Sequence, residues 1–317
     1  MSPDVFQRAL SFVKRSHIPE ARLLGGEPTE HPLFRDYVAR ALHQGLRVVV
    51  FSGGGVPEDL LDYLEGLPGE RFLLVLNVAD PTVHPPELVR QQKRVCQILG
   101  SKVRLGINFH KFQQNTSYLF DWVNRYRLQH AIRVGVAHPI WGGDNSFYHL
   151  RRQQPLDVVE RLFEAAERSD IEVTLDCGFT PCMFSDAFVE AHPDCFQADL
   201  RPKKTGVEAA RSKTSRLCGP VIDILPEGMC IACYALSRIM RLPLLDGLSR
   251  KDLLLRFERE IAALTPRGMY RECDRCSYRQ ASMCDGGCRA RRALRFRPEP
   301  MPLTSVEFQS PQERNRP

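Results

Sequence analysis

Over the first 180 residues, short runs of β-branched and other apolar residues alternate with stretches in which apolar positions recur every three or four residues. The runs at 22–24, 47–51, 72–76, 103–109, 132–136 and 171–175 read as strands. Unbroken apolar character, as in Val48, Val49, Val50 and Phe51, suits strands buried on both faces of a parallel sheet. The helices between them have legible ends. Ser2 as N-cap and Pro3 at the first helical position open a helix that sets Val5, Phe6, Ala9, Leu10, Phe12 and Val13 on one face. The next has Pro32 in its first turn, carries Leu33, Phe34, Tyr37, Val38, Ala41 and Leu42, and stops at Gly45. Residues 88–99, 117–128 and 156–166 repeat the pattern. This alternation predicts an α/β chain, a partial TIM-type (β/α)6 barrel, rather than a sandwich.

A βα array normally begins with a strand, whereas this chain begins with a helix. The first strand is therefore expected to be missing, which would leave the strand at 22–24 as an uncovered edge. After Phe179 the pattern breaks into a loop-rich, Cys-rich and basic region with helical stretches near 235–240 and 251–264, and a boundary is expected between 185 and 200. From Pro298 the sequence is Pro-rich and polar, and cannot bury enough surface to order itself. The expected units are a barrel over 1–190, a small Cys-rich domain over 191–297 and a disordered tail over 298–317.

Composition narrows the function classes. With 317 residues, 43% of them hydrophobic, the chain can bury one large core, or one core plus a small second unit. No apolar run approaches the roughly 18 residues of a membrane span. The start, MSPDVFQRAL, has neither the basic nor the apolar region of a secretion signal. A soluble, cytoplasmic protein with no membrane partner is the expectation. Much of the net charge of +6 sits in Lys203, Lys204, Arg211, Lys213, Arg216 and the 289–297 run, and reads as solvated loop and tail rather than a nucleic-acid surface. The 11 cysteines, in a chain without a secretion signal, argue against a disulfide framework. Cys218, Cys230, Cys233, Cys273, Cys276, Cys284 and Cys288 crowd into one segment, which points to metal.

Gly25-Gly26-Glu27-Pro28 follows the end of the strand at 22–24. Glycines there let the backbone approach a ligand, and a carboxylate accepts charge-assisted hydrogen bonds from an ammonium group. Ligands of βα barrels sit at that strand edge; a tight turn with a solvated Glu is the plain alternative. The segment LLGGEPTEHP resembles the GGEP segment of radical SAM enzymes. That resemblance implies S-adenosylmethionine as cofactor, with Gly25, Gly26, Glu27 and Pro28 at its amino group and Asn77 at its ribose. Gly106-Ile107-Asn108 and Ala137-His138-Pro139 resemble later cofactor-facing strand ends, and Ser52-Gly53-Gly54 stands where relatives carry a threonine-asparagine-glycine turn. On the residues alone, Asn77 reads equally as a turn or cap residue and His138 as a structural histidine.

The C-terminal cysteines carry a second resemblance. Cys218, nine residues, Gly228, four residues, Cys233 is similar to the first half of the SPASM pattern, and Cys273-Asp-Arg-Cys276 with Cys284-Asp-Gly-Gly-Cys288 to its second half. SPASM domains hold auxiliary [4Fe–4S] clusters. The resemblance assigns Cys218, Cys233 and Cys288 to one cluster and Cys273, Cys276 and Cys284 to another. Two departures stand out: seven residues rather than five separate Cys276 from Cys284, and no cysteine follows Cys288. Either Cys230 or Cys195 would then supply the last ligand, or a single cluster forms. Taken alone, Cys230-Ile-Ala-Cys233 and Cys273-Asp-Arg-Cys276 would equally make a four-thiolate zinc site. Cys96 reads as a packed thiol, and Cys177 and Cys182 as barrel-mouth or buried residues. A hydrolase pairing Cys177 or Cys182 with His138 or His110 is disfavoured.

The resemblance implies an enzyme that cleaves S-adenosylmethionine reductively to a 5′-deoxyadenosyl radical, which abstracts hydrogen from a peptide or protein substrate. A flavodoxin- or ferredoxin-like reductant is implied as partner. The catalytic [4Fe–4S] cluster of that family needs a CX3CX2C loop after the first strand, yet the first cysteine here is Cys96. Missing strand and missing loop fall at one point, so the expectation is a chain cut short before Ser2, with the catalytic cluster present only with an upstream extension. The alternative is a non-enzymatic barrel that binds zinc or iron–sulfur and recognises a partner.

Overall fold

The computed structural model describes residues 1–78, 80–137, 156–176, 178–196, 218, 221–264 and 268–296. The basic residues from Lys203 to Arg216, the 298–317 tail, Cys177 and His138 lie outside them. The first helix, α1 (Pro3–Arg15), begins as its sequence demands, with the Val5 N–H donating to Ser2 Oγ at 3.3 Å. Then follow β1 (Glu20–Leu23), α2 (Phe34–His43), β2 (Arg47–Ser52), α3 (Glu58–Glu65), β3 (Phe72–Asn77), α4 (Pro86–Leu99), β4 (Val103–Phe109), α5 (Ser117–Arg125), β5 (Ala131–Val136), α6 (Asp157–Arg168) and β6 (Glu172–Leu175). All six strands are parallel and lie side by side in chain order, with β1 and β6 at the two edges. The sheet is an open, partial barrel.

Strand pleating divides the side chains. Val48, Val50, Leu74, Leu76, Leu105, Ile107, Ile132 and Val134 face the helices and are fully buried in the main core. Fully burying one such side chain contributes roughly 1.5–3 kcal/mol. Towards the barrel interior, among the described residues, Val49, Leu73 and Val75, with Phe51 beside them, form an apolar patch. The rest of that face is polar. Glu20 bridges Arg22 Nε at 2.7 Å and Arg47 Nη1 at 2.9 Å, and Arg104 Nε donates to Gln129 Oε1 at 3.3 Å.

A smaller antiparallel sheet, β7 (Asp223–Ile224), β8 (Met229–Ile231) and β9 (Leu242–Pro243), packs with the helix Arg250–Leu264 over a second core. Phe12 of α1 belongs to that core, whereas Phe6 and Leu10 of the same helix belong to the barrel core. The Arg8 side chain donates to the Leu244 carbonyl, and the Arg250 N–H to Ser16 Oγ at 3.1 Å. The segment ahead of β1 is therefore fixed by the C-terminal unit.

One expectation changes. Residues 235–240 form a 3-10 turn, Tyr234–Leu236, followed by further turns, because Ala235, Leu236 and Met240 reach the second core without a regular helix. Within the expected boundary region, Phe188, Val189, Cys195 and Phe196 pack into the main core, and Met269 joins them from the Cys-rich segment. Among the described residues, no helix is long and apolar enough to cross a membrane.

Candidate cofactor and metal site

The loop after β1 is organised around Glu27. It caps the 3-10 turn Pro28–Glu30, and its Oε1 accepts from Thr29 Oγ1 at 2.6 Å and from the Thr29 N–H at 3.3 Å. Oε2 accepts from Ser52 Oγ at 2.8 Å and from the Gly53 N–H at 3.0 Å. Thr29 and Ser52 are buried, at 4% and 1% exposure, so these bonds are shielded from water. Four donors meet the roughly four acceptor positions of a carboxylate. Ser52 Oγ in turn accepts from the Gly54 N–H at 2.9 Å, and Gln92 of α4 donates to the carbonyls of Gly53 at 2.7 Å and Asn77 at 3.3 Å. The ends of β1, β2 and β3 are thereby tied into one rim. Gly25 and Gly26 take φ of +101° and +48°, and a Cβ on either would meet nothing within 4 Å, so open space lies over the glycines. At Gly54, where φ is +102°, a Cβ would stand 2.5 Å from Gln92 Cγ, so glycine is required.

Further round the rim, glycine and asparagine pair across neighbouring strands. Asn77 lies opposite Gly106, and Asn108 opposite Gly135. A Cβ at Gly106 would come within 2.7 Å of Asn77 Oδ1, and one at Gly135 within 2.1 Å of Asn108 Oδ1. Each glycine makes room for the amide one strand back. Both amide oxygens turn to Arg133 Nη1, at 3.5 Å for Asn77 and 3.4 Å for Asn108. Arg133 also pairs with Asp176, and its guanidinium lies 5.6 Å from the Phe51 ring centroid.

The cysteines fall into two groups. Cys218 shares a hydrogen bond with Cys288, which together with burial pushes the Cys218 thiol well up, and Cys233 lies close enough for its thiol to be raised by Cys218 after burial itself. The second group borders a part-open pocket lined by Cys182, Cys273, Cys276 and Cys284 together with Met269, Tyr270 and Tyr278. Backbone N–H groups aim at two of these sulfurs: Tyr270 at Cys273 Sγ and Gly286 at Cys284 Sγ, both at 3.4 Å. Burial raises the Cys284 thiol to about 11. A bound metal cation reverses such shifts by deprotonating its thiol ligands, so the donor set fits an iron–sulfur or zinc site. Among the described residues, no three Cys, His, Asp or Glu side chains converge as closely as a single ion requires.

Glycine again permits the approach. A Cβ at Gly268 would lie 2.2 Å from Cys273 Cβ and 2.8 Å from its Sγ, and one at Gly286 would lie 2.8 Å from Gly268 Cα. Gly286 and Gly287, at φ of +103° and +90°, carry the chain from Cys284 to Cys288 in a turn open only to glycine.

The sequence-derived residues thus separate into a rim (Gly25, Gly26, Glu27, Pro28), an interior position (Asn77) and two thiol groups. The four-cysteine zinc set drawn from the two Cys-X-X-Cys pairs is divided, since Cys273 and Cys276 line the pocket while Cys233 lies beside Cys218. Cys230 is fully buried in the second core, and Cys195 is buried in the barrel core. Cys182 joins Cys273, Cys276 and Cys284 in their place. Gln92, Arg133 and Asp176 were missed. A polar residue on the apolar face of α4, between Val89 and Val95, marks Gln92, and an arginine inside the apolar run of β5 marks Arg133.

Fold and site together define an open parallel α/β barrel with a ligand-type rim at the C-terminal ends of its strands and a thiol pocket beside its last strand. No protein-family model matches the chain, and no curated protein does. Solved structures do. SuiB of Streptococcus suis bound to S-adenosylmethionine aligns with a TM-score of 0.60 at 14% identity, over 93% of this chain and 68% of that one. SuiB bound to the precursor peptide SuiA aligns with a TM-score of 0.60 at 15% identity, over 94% of this chain and 67% of that one. At such identities the likeness establishes the shared fold.

Proposed function

We propose that the chain is a radical SAM-type enzyme acting on a peptide, in which the rim after β1 binds S-adenosylmethionine and the C-terminal cysteines hold auxiliary iron–sulfur clusters. The observation that carries this reading is the SuiB fold extending over 93% of the chain, in a structure bound to S-adenosylmethionine. The SuiA complex of the same fold supports a peptide substrate, and the open barrel interior offers such a chain a polar face. The Glu27-centred loop, with open space over Gly25 and Gly26, supports the rim as the amino-group end of the cofactor site.

The family's catalytic cluster, which would supply a hydrogen-abstracting radical from the bound cofactor, has no CX3CX2C ligands in this sequence, whose first cysteine is Cys96, so that step would need an upstream extension. The residues of this chain bind and orient the cofactor: Glu27 holds the rim closed and sets a negative charge beside the ammonium group. Asn77 and Asn108, fixed by Arg133, present polar groups inside the barrel. Cys218, Cys233 and Cys288 would hold one auxiliary cluster, and Cys273, Cys276 and Cys284 belong to the other.

Anaerobic purification followed by iron, sulfide and zinc analysis, with calorimetric titration of S-adenosylmethionine, tests the reading. It requires iron with sulfide and saturable cofactor binding. Zinc without iron would sink the cluster assignment and favour the metal-binding, non-enzymatic alternative, and absence of cofactor binding would sink the enzyme reading.

A further inference from the structure

We propose that Cys182, from the turn after β6, is the fourth ligand of the cluster held by Cys273, Cys276 and Cys284, so that the cluster ties the barrel rim to the C-terminal segment. The inference rests on the iron–sulfur reading above and deepens it by naming a ligand that the sequence pattern does not supply.

Three observations carry it. First, Cys182 lines the same pocket as Cys273, Cys276 and Cys284. Second, its surroundings aim the thiol outwards. Cys182 sits in the middle of the 3-10 turn Pro181–Met183, whose other two residues are buried, while Cys182 itself is exposed. Thr180 caps that turn, is 5% exposed, and places its Oγ1 3.2 Å from Cys182 Sγ. Third, the facing segment is docked by contacts that need no metal. Met269 is buried in the barrel core with Tyr270 and Tyr278 against it, and Tyr278 O–H donates to Asp186 Oδ1 at 2.5 Å. The two halves of the pocket are brought together by packing, leaving the thiols to face a common space.

The competing ligands are placed elsewhere. Cys195 is 4% exposed in the barrel core and Cys230 is fully buried in the second core, which also holds Phe12 and Leu253. Neither lines the pocket. Soft thiolates in this number, two of them receiving backbone N–H···S bonds, are the ligand set of an iron–sulfur cluster. Each thiol that binds iron gives up its proton to solvent.

The test uses the full chain reconstituted anaerobically with iron and sulfide. Cys182→Ala is expected to lower iron and sulfide content, and to change the EPR spectrum of the reduced protein, as Cys276→Ala does; Cys195→Ala is expected to change neither. Because the Cys182 side chain is exposed, far-ultraviolet circular dichroism should be unchanged in Cys182→Ala, and Cys182→Ser serves as a second variant should it not be. In the wild type, mass spectrometry after iodoacetamide treatment should find Cys182 protected in the reconstituted protein and alkylated once iron is chelated. Wild-type iron and EPR in Cys182→Ala, alongside loss in Cys276→Ala, would overturn the ligand assignment while leaving the cluster reading intact. Zinc in place of iron and sulfide in the wild type would overturn both.

Discussion

Removing the Glu27 carboxylate tests whether the rim depends on one charged group. Glu27→Ala leaves the Thr29 N–H, the Ser52 O–H and the Gly53 N–H without their acceptor, and leaves the Thr29 O–H only the Gly55 carbonyl at 3.5 Å. A hydrogen bond to a charged group contributes roughly 1.5–3 kcal/mol, and water refills part of that at a rim bordering solvent. Ser52 is almost fully buried, so its share is not recovered, and Thr29, also buried, falls back on the Gly55 carbonyl at 3.5 Å. We expect a loss of about 2–4 kcal/mol in stability, and cofactor binding weakened at least about tenfold, which is about 1.4 kcal/mol. Glu27→Gln is the sharper probe. Its amide oxygen still accepts from Thr29, but its NH2 then faces the Ser52 hydroxyl and the Gly53 N–H, and Ser52 Oγ already accepts from Gly54. It should fall between wild type and Glu27→Ala in urea unfolding midpoint. Urea denaturation and titration calorimetry with S-adenosylmethionine measure both effects. If Glu27→Ala unfolds with the wild type and binds the cofactor equally well, the role given to Glu27 is refuted.

Other expectations follow from the same geometry. Gly135→Ala drives a Cβ to 2.1 Å from Asn108 Oδ1 and should destabilise by about 1–3 kcal/mol; in an Asn108→Ala background most of that cost should vanish, and an additive double mutant would contradict the steric account. Arg133→Met removes the partner shared by Asn77, Asn108 and Asp176, so it should weaken cofactor titration more than Arg22→Met, an exposed partner of Glu20. Burial pushes the Cys96 thiol up to about 12, so native protein should resist alkylation there; modification of Cys96 before unfolding would count against its placement. Asp80 feels partial burial, which raises its pKa, but hydrogen bonds from the Thr82 N–H and hydroxyl and from Asn115 outweigh it and leave it below the ordinary carboxylate value. Its folded value being lowered, the stabilisation is present above the unfolded value and lost as pH falls through the folded one. Asp80→Ala should therefore cost more stability at neutral pH than at a pH below the folded value, and a loss that does not shrink as the pH is lowered through that range would disprove the linkage.

The sequence by itself determined the alternation of strands and helices, because burial of a strand face or a helix stripe leaves a period of two or 3.6 in neighbouring residues. It also marked the Gly25-Gly26-Glu27-Pro28 turn and the C-terminal thiols, whose signals are spacings within one segment. The strands at 47–51 and 72–76 emerge within one residue of β2 and β3, whereas α3, eight residues long, was not legible as a separate element. The tertiary structure decided what no local window contains. It set Ser52 and Gly53 against Glu27 across a strand pair, and placed glycines opposite Asn77 and Asn108 by register. It brought Cys182 to thiols some ninety positions further along the chain, where spacing had suggested Cys195 or Cys230. A ligand set of this kind depends on which loops the parallel sheet delivers to one end and on which side chains packing leaves exposed there. Those are properties of the folded core as a whole, and no periodicity within a single element records them.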